Sequence, residues 1–317
     1  MCDRIGEAIS LYGLENAKAT LLRHNENCTY RIDCKGQSFC LRLKTPVSGF
    51  NLAVLVGDQE MLLRSELGLI SALGEQTDIP VQKPVKTLSG DVIAQLSDGT
   101  LVSLLSWMKG VPFDSVKHTE QMLVSAGQTL GKLRNAVEAN PNLSSFARFS
   151  YDQKLMNNIA VKAEQGAEYL PEKAIRSIIK ALDTVSFIMD EIDKSEVVLI
   201  AHADPGFGNM IWTGEGVGLI DWSLTGYAHS YMDLGGLMGA TSDREEQRLL
   251  QRGWESIRGK TNRRYLDAYF SLAVLLFVCC QYTRANEWTD WFPAALERWQ
   301  ETIFDPFSSG SLIPCIL

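Results

Sequence analysis

One segment in the second half of the chain concentrates side chains that could carry out chemistry. Four apolar residues at 197–200 predict a buried strand, and His202, Asp204 and Asn209 follow it. The proline and glycines between Asp204 and Asn209 exclude a helix there and predict a tight loop. A carboxylate held on such a loop could accept the proton of a hydroxyl group that attacks a phosphate.

A short β-hairpin is predicted directly after this loop. Residues 210–212 and 217–220 are rich in β-formers, and the stretch between them contains two glycines. Because a hairpin returns the chain, Asn209 at its entry and Asp221 at its exit should lie side by side. An amide oxygen and a carboxylate are hard oxygen ligands that suit Mg²⁺, which binds proteins through one or two groups together with substrate phosphates.

Each of these residues also has an ordinary structural explanation, because Asp beside Pro and Gly is common in turns and a single His is often a core residue. The ordered set is more specific than its parts: His202-x-Asp204-x4-Asn209, then Ile220-Asp221-Trp222, then Tyr231-Met232-Asp233-Leu234. This set resembles the aminoglycoside phosphotransferase and choline kinase group of protein-kinase-like small-molecule kinases.

The resemblance implies a function and a set of roles. The protein would be a phosphotransferase that uses ATP and Mg²⁺ and has an alcohol group as acceptor. Asp204 would be the catalytic aspartate, and Asn209 and Asp221 would be the metal ligands. His202 and Asp233 would support the catalytic loop.

Two features depart from the usual pattern of kinase-like proteins. The family usually has Gly where this chain has Ala203, a small change that we expect to matter little. The turn at residues 25–31 contains Asn instead of the glycines that cover the phosphates in protein kinases. A similar Asn-rich turn occurs in the family, so Asn27 is expected to contact the nucleotide.

The first hundred residues contain a helix with a carboxylate on its apolar face. The predicted helix runs from about Asp58 to Leu73 and is closed by Gly74, and its apolar stripe comprises Leu62, Leu69, Ile70 and Leu73. Glu66 lies near the centre of that stripe. A buried carboxylate is costly unless a cation meets it, so a basic partner is expected.

Two cations are candidates for that partner, Arg42 and Lys44, which share one face of the strand at residues 39–44. Arg42 is preferred, because it leaves the small Cys40 on the same face, where an adenine ring needs room. In kinase-like folds such an ion pair holds the nucleotide phosphates. Lys44 is the alternative, and both cations could instead be solvated residues at a strand end.

The chain changes its pattern near residues 107–112, which predicts two lobes of an α+β, protein-kinase-like fold. Residues 1–105 would form a β-rich N-lobe with a five-stranded sheet and a helix. Residues 106–112 would form a hinge, in which the backbone groups of Ser106 and Met108 are available to adenine. Residues 113–317 would form a mainly helical C-lobe with the catalytic loop and the substrate site.

Composition narrows the possible partners and the location. The chain is 45% apolar and 21% charged, which is typical of soluble globular proteins, and its net charge of −8 argues against nucleic acid. Seven Cys residues without a CxxC pair, and an amino-terminal segment unlike a signal peptide, indicate the cytoplasm. The apolar run 268–280 is too short to cross a membrane and predicts a buried helix. We expect a monomer or a homodimer.

The acceptor is not specified by these motifs. An amino-alcohol, a hydroxy amino acid and an aminoglycoside-like compound all remain open, as do a Ser/Thr protein kinase and a nucleotide-binding regulatory pseudokinase. Trp288, Trp291 and Trp299, with Glu287 and Asp290 nearby, could form a pocket for a cationic amine. Aromatic residues at helical spacing could equally belong to the core.

Overall fold

The computed structural model describes residues 2–46, 57–287 and 289–313. It confirms the predicted α+β class, with a β-rich N-lobe and a mainly helical C-lobe. The helices are α1 (Cys2–Leu11), α2 (Gln59–Gln76), α3 (Glu120–Ala139), α4 (Gln153–Glu164), α5 (Glu172–Ile192), α6 (Tyr231–Met238), α7 (Arg244–Arg258), α8 (Arg263–Gln281), α9 (Phe292–Trp299) and α10 (Asp305–Ser308). The strands are β1 (Lys18–His24), β2 (Cys28–Cys34), β3 (Gln37–Leu43), β4 (Pro84–Val85), β5 (Ile93–Gln95), β6 (Leu101–Ser106), β7 (Val111–Pro112), β8 (Phe149–Ser150), β9 (Leu199–Ala201), β10 (Met210–Trp212), β11 (Val217–Leu219) and β12 (Gly226–Ala228).

The N-lobe is built on an antiparallel sheet in the order β1-β2-β3-β6-β4, and β5 also pairs with β6. The hairpin β2–β3 turns at Lys35 and Gly36, which have φ values of 49° and 79°. Two successive positive φ values give the tight turn that matches the twist of the flanking strands. This register places Thr29 opposite Arg42 and so fixes the cation relative to the turn between β1 and β2.

The prediction of five strands is wrong by one within the described residues, where the sheet has six. The smallest is β4, in which Pro84 pairs with Leu105 and Val85 pairs with Leu104. Two residues are too few to show an alternating pattern, and a proline is typical of a strand at a sheet edge. The structure also contains α1, so the N-lobe carries a second helix.

Helix α2 starts as predicted but ends later. Asp58 caps its first turn, because its Oδ1 accepts a hydrogen bond of 2.8 Å from the backbone N–H of Met61. The helix passes through Gly74 and stops at Thr77, whose backbone N–H and Oγ1 both donate to the carbonyl of Leu73. The helix end is therefore set by the Thr77 cap, and Gly74 is an interior residue.

The helices of the C-lobe enclose a single apolar core. Helices α3 and α7 approach closely at two glycines, where a Cβ atom at Gly127 would lie 2.0 Å from the carbonyl of Leu250. The same is true of Gly253, where a Cβ would lie 2.1 Å from the carbonyl of Val124. These glycines are therefore required for the contact between the two backbones.

Helix α8 contains the apolar run that was predicted to be a buried helix. Among the described residues, the segment Arg263–Ala285 is the one helical stretch that is long and apolar enough to cross a membrane. Two thirds of its apolar window is buried inside the protein, where α8 packs on α5 and α6. Burial against neighbouring helices accounts for its apolar composition.

Two small sheets interrupt the helices and hold the loops of the cleft. Strand β10 pairs with β11 and with β7, and β12 pairs with β8 and β9. The hairpin β10–β11 has the predicted register, with Met210 opposite Leu219. The strand before the loop is shifted from its predicted position, because Val197 and Val198 are exposed and pairing begins at Leu199.

Candidate active site

The loop after β9 brings Asp204 and Asn209 together. The side-chain amide of Asn209 donates to Oδ2 of Asp204 at 2.7 Å and to the Asp204 carbonyl at 2.9 Å. Because the amide nitrogen is used on this side, the Asn209 oxygen Oδ1 is left for other partners. It accepts a hydrogen bond of 3.4 Å from Arg23.

The hairpin places Asp221 beside Asn209, as its predicted geometry requires. The backbone N–H of Ile220 donates to the carbonyl of Asn209 at 3.0 Å, which closes the open end of the hairpin. Asp221 has a φ of 59°, a left-handed conformation that is unusual for a residue with a side chain. One of its oxygens, Oδ2, contacts Arg23, and the other, Oδ1, lies 3.7 Å from Arg42.

Asp233, in the first turn of α6, holds the catalytic loop by its backbone. Its two carboxylate oxygens accept hydrogen bonds from the backbone N–H groups of His202 (3.2 Å) and Ala203 (2.8 Å). Burial raises the pKa of Asp233, although His202 and these backbone donors oppose the rise. The carboxylate thus anchors the segment that precedes Asp204.

His202 is fully buried and contacts both sides of the site. Its Nε2 lies 3.1 Å from the carbonyl of Ile220, and its Nδ1 accepts a hydrogen bond of 3.3 Å from the backbone N–H of Asp204. Burial lowers the pKa of His202. A neutral imidazole that donates from Nε2 and accepts at Nδ1 therefore links the Asp204 loop to the strand leading to Asp221.

Ala203 occupies a strained backbone position. Its φ of 66° lies in the left-handed region, where a Cβ atom costs about 1–2 kcal/mol relative to the right-handed conformation. The hydrogen bond from its N–H to Asp233 fixes this conformation. The usual Gly would adopt it without strain, so the substitution has a definite structural cost.

The N-lobe contributes the predicted ion pair. Nη2 of Arg42 lies 2.6 Å from Oε1 of Glu66, and both side chains are less than 8% exposed. Lys44, the alternative cation, instead pairs with Glu26 in the turn between β1 and β2. Burial opposes the charge on Arg42, but Glu66 and Asp221 outweigh it and raise the pKa of the guanidinium.

The two carboxylates of the site have opposite pKa shifts. Burial, together with the charge of Asp221, raises the pKa of Asp204 to about 7, against the lowering effect of its bond from Asn209. Burial also disfavours the charged form of Asp221, but Arg23 and Arg42 outweigh it and lower the pKa of that group. Asp221 is therefore the permanent anion, and Asp204 is the group suited to taking up a proton near neutral pH.

The donor set fits a divalent cation that also binds phosphates. Oδ1 of Asp221 is buried and has no hydrogen-bond partner among the described residues. Oδ1 of Asn209 accepts a hydrogen bond from Arg23, which also contacts Asp221. No group of three or more His, Cys, Asp or Glu residues in the described ranges could hold a metal by itself. One carboxylate and one amide oxygen match Mg²⁺, which keeps further positions for substrate phosphates.

A cleft of about 710 Å³ opens onto these residues. Asp204 and Asp221 line it, as does Asn27, which lies in the turn between β1 and β2. The backbone N–H of Asn25 donates to the carbonyl of Asn27 at 3.2 Å and so closes this turn without a glycine. The predicted phosphate-covering turn and the predicted catalytic loop thus face the same space.

The backbone N–H of Ser106 already has a partner within the protein, whereas its carbonyl can accept one further hydrogen bond. Its N–H donates to the carbonyl of Lys83 at 2.8 Å, and its carbonyl accepts from the side chain of Gln82 at 3.0 Å. The pairing of β4 with β6 accounts for this, because it brings Lys83, the residue before β4, alongside Ser106. Met108 lies against Gly218 of β11, where a Cβ atom would be 2.2 Å from its sulfur.

The far end of the cleft contains part of the predicted aromatic cluster. Trp291 and Trp299 line it, and both lie near Phe277 of α8, at ring distances of 6.4 Å and 5.8 Å. Trp288 lies outside the described residues. The expected acidic partners are absent from the wall in the part of the chain that the structure describes, because neither Glu287 nor Asp290 lines the cleft.

Sequence reasoning missed two arginines. Arg23, at the end of β1, contacts both Asn209 and Asp221, and its position before an Asn-rich turn was the available signal. Arg148 donates to the carbonyls of Leu62 (2.7 Å), Thr225 (2.8 Å), Trp222 (3.2 Å) and Ser223. It therefore ties α2 to the segment after Asp221, a long-range contact that leaves no local pattern in the sequence.

Comparison with known proteins identifies a matching family and solved structures of similar fold. The model of the phosphotransferase enzyme family matches residues 20–274, and no curated protein matches the chain.

The microcompartment-associated aminopropanol kinase has a TM-score of 0.74 at 20% identity, over 95% of this chain and 98% of that chain. Amicoumacin kinase hAmiN, solved with AMP-PNP, Ca²⁺ and Ami, has a TM-score of 0.73 at 16% identity, over 100% and 95%. Spectinomycin phosphotransferase, solved with ADP and spectinomycin, has a TM-score of 0.66 at 16% identity, over 96% and 95%. At these identities the structures show a shared fold, and they confirm the predicted protein-kinase-like two-lobe fold.

Proposed function

The chain belongs to the phosphotransferase enzyme family, and from this premise we propose that it transfers the γ-phosphoryl group of ATP to a hydroxyl group of a small molecule. The observation that carries the proposal is the convergence of Asp204, Asn209 and Asp221 at one end of the cleft. Besides the hydroxyl acceptor, this reaction needs a proton acceptor and a cation that binds the phosphates.

Asp204 is the group that acts on the acceptor. Its carboxylate would accept the hydroxyl proton as the oxygen forms its bond to the γ-phosphorus and the bond to the bridging oxygen of ADP breaks. Its raised pKa of about 7 matches this role better than the ordinary value of an aspartate. The bond from Asn209 holds one carboxylate oxygen and fixes the orientation of the other.

Asn209 and Asp221 would hold Mg²⁺, which when bound neutralises phosphate charge and aligns the γ-phosphoryl group. The unpartnered Oδ1 of Asp221 and the Oδ1 of Asn209 are the oxygens available for this. Arg42, fixed by Glu66, lies 3.7 Å from Asp221 and is placed to contact the phosphates. Asn27 lies in the turn that would cover them.

The solved structures support the use of a nucleotide. The structure of amicoumacin kinase contains AMP-PNP with Ca²⁺, and that of spectinomycin phosphotransferase contains ADP. The hinge contacts proposed for adenine are the backbone of Met108 and the carbonyl of Ser106, because the N–H of Ser106 is used within the protein. We further propose that the chain divides into an N-lobe (1–105), a hinge (106–112) and a C-lobe (113–317), and that the nucleotide binds between the lobes.

A direct test measures binding and turnover separately. We expect ATP with Mg²⁺ to raise the melting temperature more than ATP with EDTA, and we expect a panel of small hydroxyl compounds to increase ADP release. Protection by the nucleotide without phosphorylation of any compound would favour the regulatory pseudokinase. Phosphorylation of an added protein but of no small molecule would favour the protein kinase.

A further inference from the structure

The two ends of the cleft have different charge. At the nucleotide end the charged lining residues are Arg23, Glu26, Asp204 and Asp221. At the acceptor end, which is formed by α6, α7, α8 and the segment from 289 onward, Arg298 is the single charged side chain among the described lining residues. An acceptor with several ammonium groups would therefore find no carboxylate to bind there.

Arg298 has the properties of a ligand-binding cation. It lies on α9 next to Trp299, is exposed, and takes part in none of the ion pairs formed within the described ranges. Many other arginines on the C-lobe helices are paired with a neighbouring carboxylate, as Arg248 is with Glu245. A guanidinium group at the wall of a cleft binds a carboxylate through two parallel hydrogen bonds.

Apart from Arg298, the acceptor end is lined mainly by apolar and aromatic side chains. Phe277 and Trp299 meet edge to face, with ring planes at 79° and centroids 5.8 Å apart, and Phe270 and Ile303 also line the space. Rings held in this way offer a flat surface that favours a planar or branched apolar body. The acceptor should therefore have an apolar part as well as its hydroxyl group.

Gln247 gives an independent indication that this end binds a polar group. Its side-chain nitrogen donates to the carbonyls of Met238 (3.1 Å) and Thr241 (3.0 Å), which fixes the orientation of the amide. Its oxygen Oε1 is therefore an acceptor, and it has no partner within the described part of the chain although Gln247 is 1% exposed and lines the cleft. A buried acceptor without a donor is costly unless a ligand supplies one.

We propose that the acceptor is an apolar or aromatic hydroxy acid, whose carboxylate binds Arg298 and whose hydroxyl group meets Asp204. A hydrogen-bond donor on the same molecule, such as an amine or a second hydroxyl group, would satisfy Gln247. The proposal rests on the phosphotransfer function proposed above and names the substrate class of that site. It replaces the expected pocket for a cationic amine with a site that binds an anion, and among the predicted acceptors it favours the hydroxy amino acids.

The test uses compounds of equal size and different charge. The aromatic series is 4-(hydroxymethyl)benzoate, 4-(hydroxymethyl)benzamide and 4-(hydroxymethyl)benzylamine, and the aliphatic series is 4-hydroxybutyrate, 4-hydroxybutyramide and 4-aminobutan-1-ol. We expect kcat/KM to fall by about tenfold from each acid to its amine, as the loss of one charge-assisted contact predicts. The aromatic series should react better than the aliphatic one.

Charge reversal at Arg298 tests the residue itself. The variant Arg298→Glu should prefer the amines, whereas the matched control Arg248→Glu, on an exposed part of α7, should keep the wild-type preference. A wild-type preference for the amines, or an unchanged preference in Arg298→Glu, would overturn the proposal. Calorimetric binding of the acids and amines in the presence of AMP-PNP gives the same comparison without turnover.

These outcomes separate this proposal from the proposed function. Transfer to amines in preference to acids would overturn the substrate class and leave the phosphotransferase intact. Binding of the acids without transfer to any compound would support the assignment of Arg298 and count against the kinase.

Discussion

The two ends of the cleft are built by different means. The catalytic end comes largely from one continuous segment, residues 202–233, whose polar groups are fixed by hydrogen bonds such as those from the backbone to Asp233. The acceptor end is assembled from separate helices by apolar and aromatic contacts. The catalytic residues therefore lie close together in the sequence, whereas the shape that selects the acceptor depends on the packing of elements that are distant in the sequence.

The largest effect should come from the metal-binding side of the catalytic end. In Asp221→Ala, we expect phosphoryl transfer to fall by about a thousandfold or more and Mg²⁺ to lose its effect on ATP affinity. Asp221→Asn, which keeps one oxygen but no charge, should give a smaller loss. Calorimetric titration of ATP with and without Mg²⁺ measures this, and unchanged metal dependence in Asp221→Ala would contradict the assignment.

A buried charge makes the catalytic end sensitive to single substitutions. Arg42→Ala leaves Glu66 buried and unpaired, so the free energy of unfolding should fall by about 3–5 kcal/mol. The double variant Arg42→Met with Glu66→Leu should recover most of this stability. Urea unfolding measures both changes.

The control for that prediction lies on the same helix. Arg64 of α2 forms exposed ion pairs with Glu60 and Asp91, and Arg64→Ala should cost less than about 1 kcal/mol. Equal losses in Arg42→Ala and Arg64→Ala would mean that burial of the Arg42 pair has no special role.

Substitutions at the acceptor end should weaken binding of the acceptor and leave the affinity for ATP unchanged. Removal of one ring from its wall in Trp299→Ala should raise the KM of the acceptor by about tenfold and leave the KM of ATP unchanged. Phe187→Ala, which removes an exposed ring on α5, is the matched control and should change neither value. A rise in the KM of ATP alone would place Trp299 at the wrong end of the cleft.

The smallest effect concerns the strained backbone before Asp204. Ala203→Gly removes the cost of a Cβ at a φ of 66° but makes the unfolded chain more flexible, so unfolding should require about 0.5 kcal/mol more. The control Ala201→Gly, in the extended strand β9, should destabilise the protein. Destabilisation by Ala203→Gly would show that its left-handed conformation carries no strain.

The sequence predicted features that depend on neighbouring residues. The β10–β11 hairpin, the start of α2 near Asp58 and the position of Glu66 on an apolar helix face all follow from local geometry, and the structure contains each of them. The pairing of Arg42 with Glu66 could also be anticipated, because a carboxylate in an apolar stripe requires a cation. The comparisons confirmed the family and fold that the motifs indicated.

Features that depend on distant contacts were not predictable. Strand β4 is two residues long, and Lys83, the residue before it, accepts a hydrogen bond from the backbone N–H of Ser106. Arg148 joins α2 to residues 222–225 through backbone carbonyls, which have no sequence signature. The acceptor wall arises from which faces of α7 and α8 meet, and the acidic residues Glu287 and Asp290 do not line it.

The most direct test of the central claim is phosphoryl transfer by Asp204→Asn. The substituted amide oxygen can still accept the hydrogen bond from Asn209, so the loop and the nucleotide site should remain intact. We expect ATP to bind this variant with nearly the wild-type Kd, whereas transfer of labelled phosphate to a hydroxyl acceptor should fall about a thousandfold or more. Undiminished transfer by Asp204→Asn would contradict the assignment of Asp204 as the base.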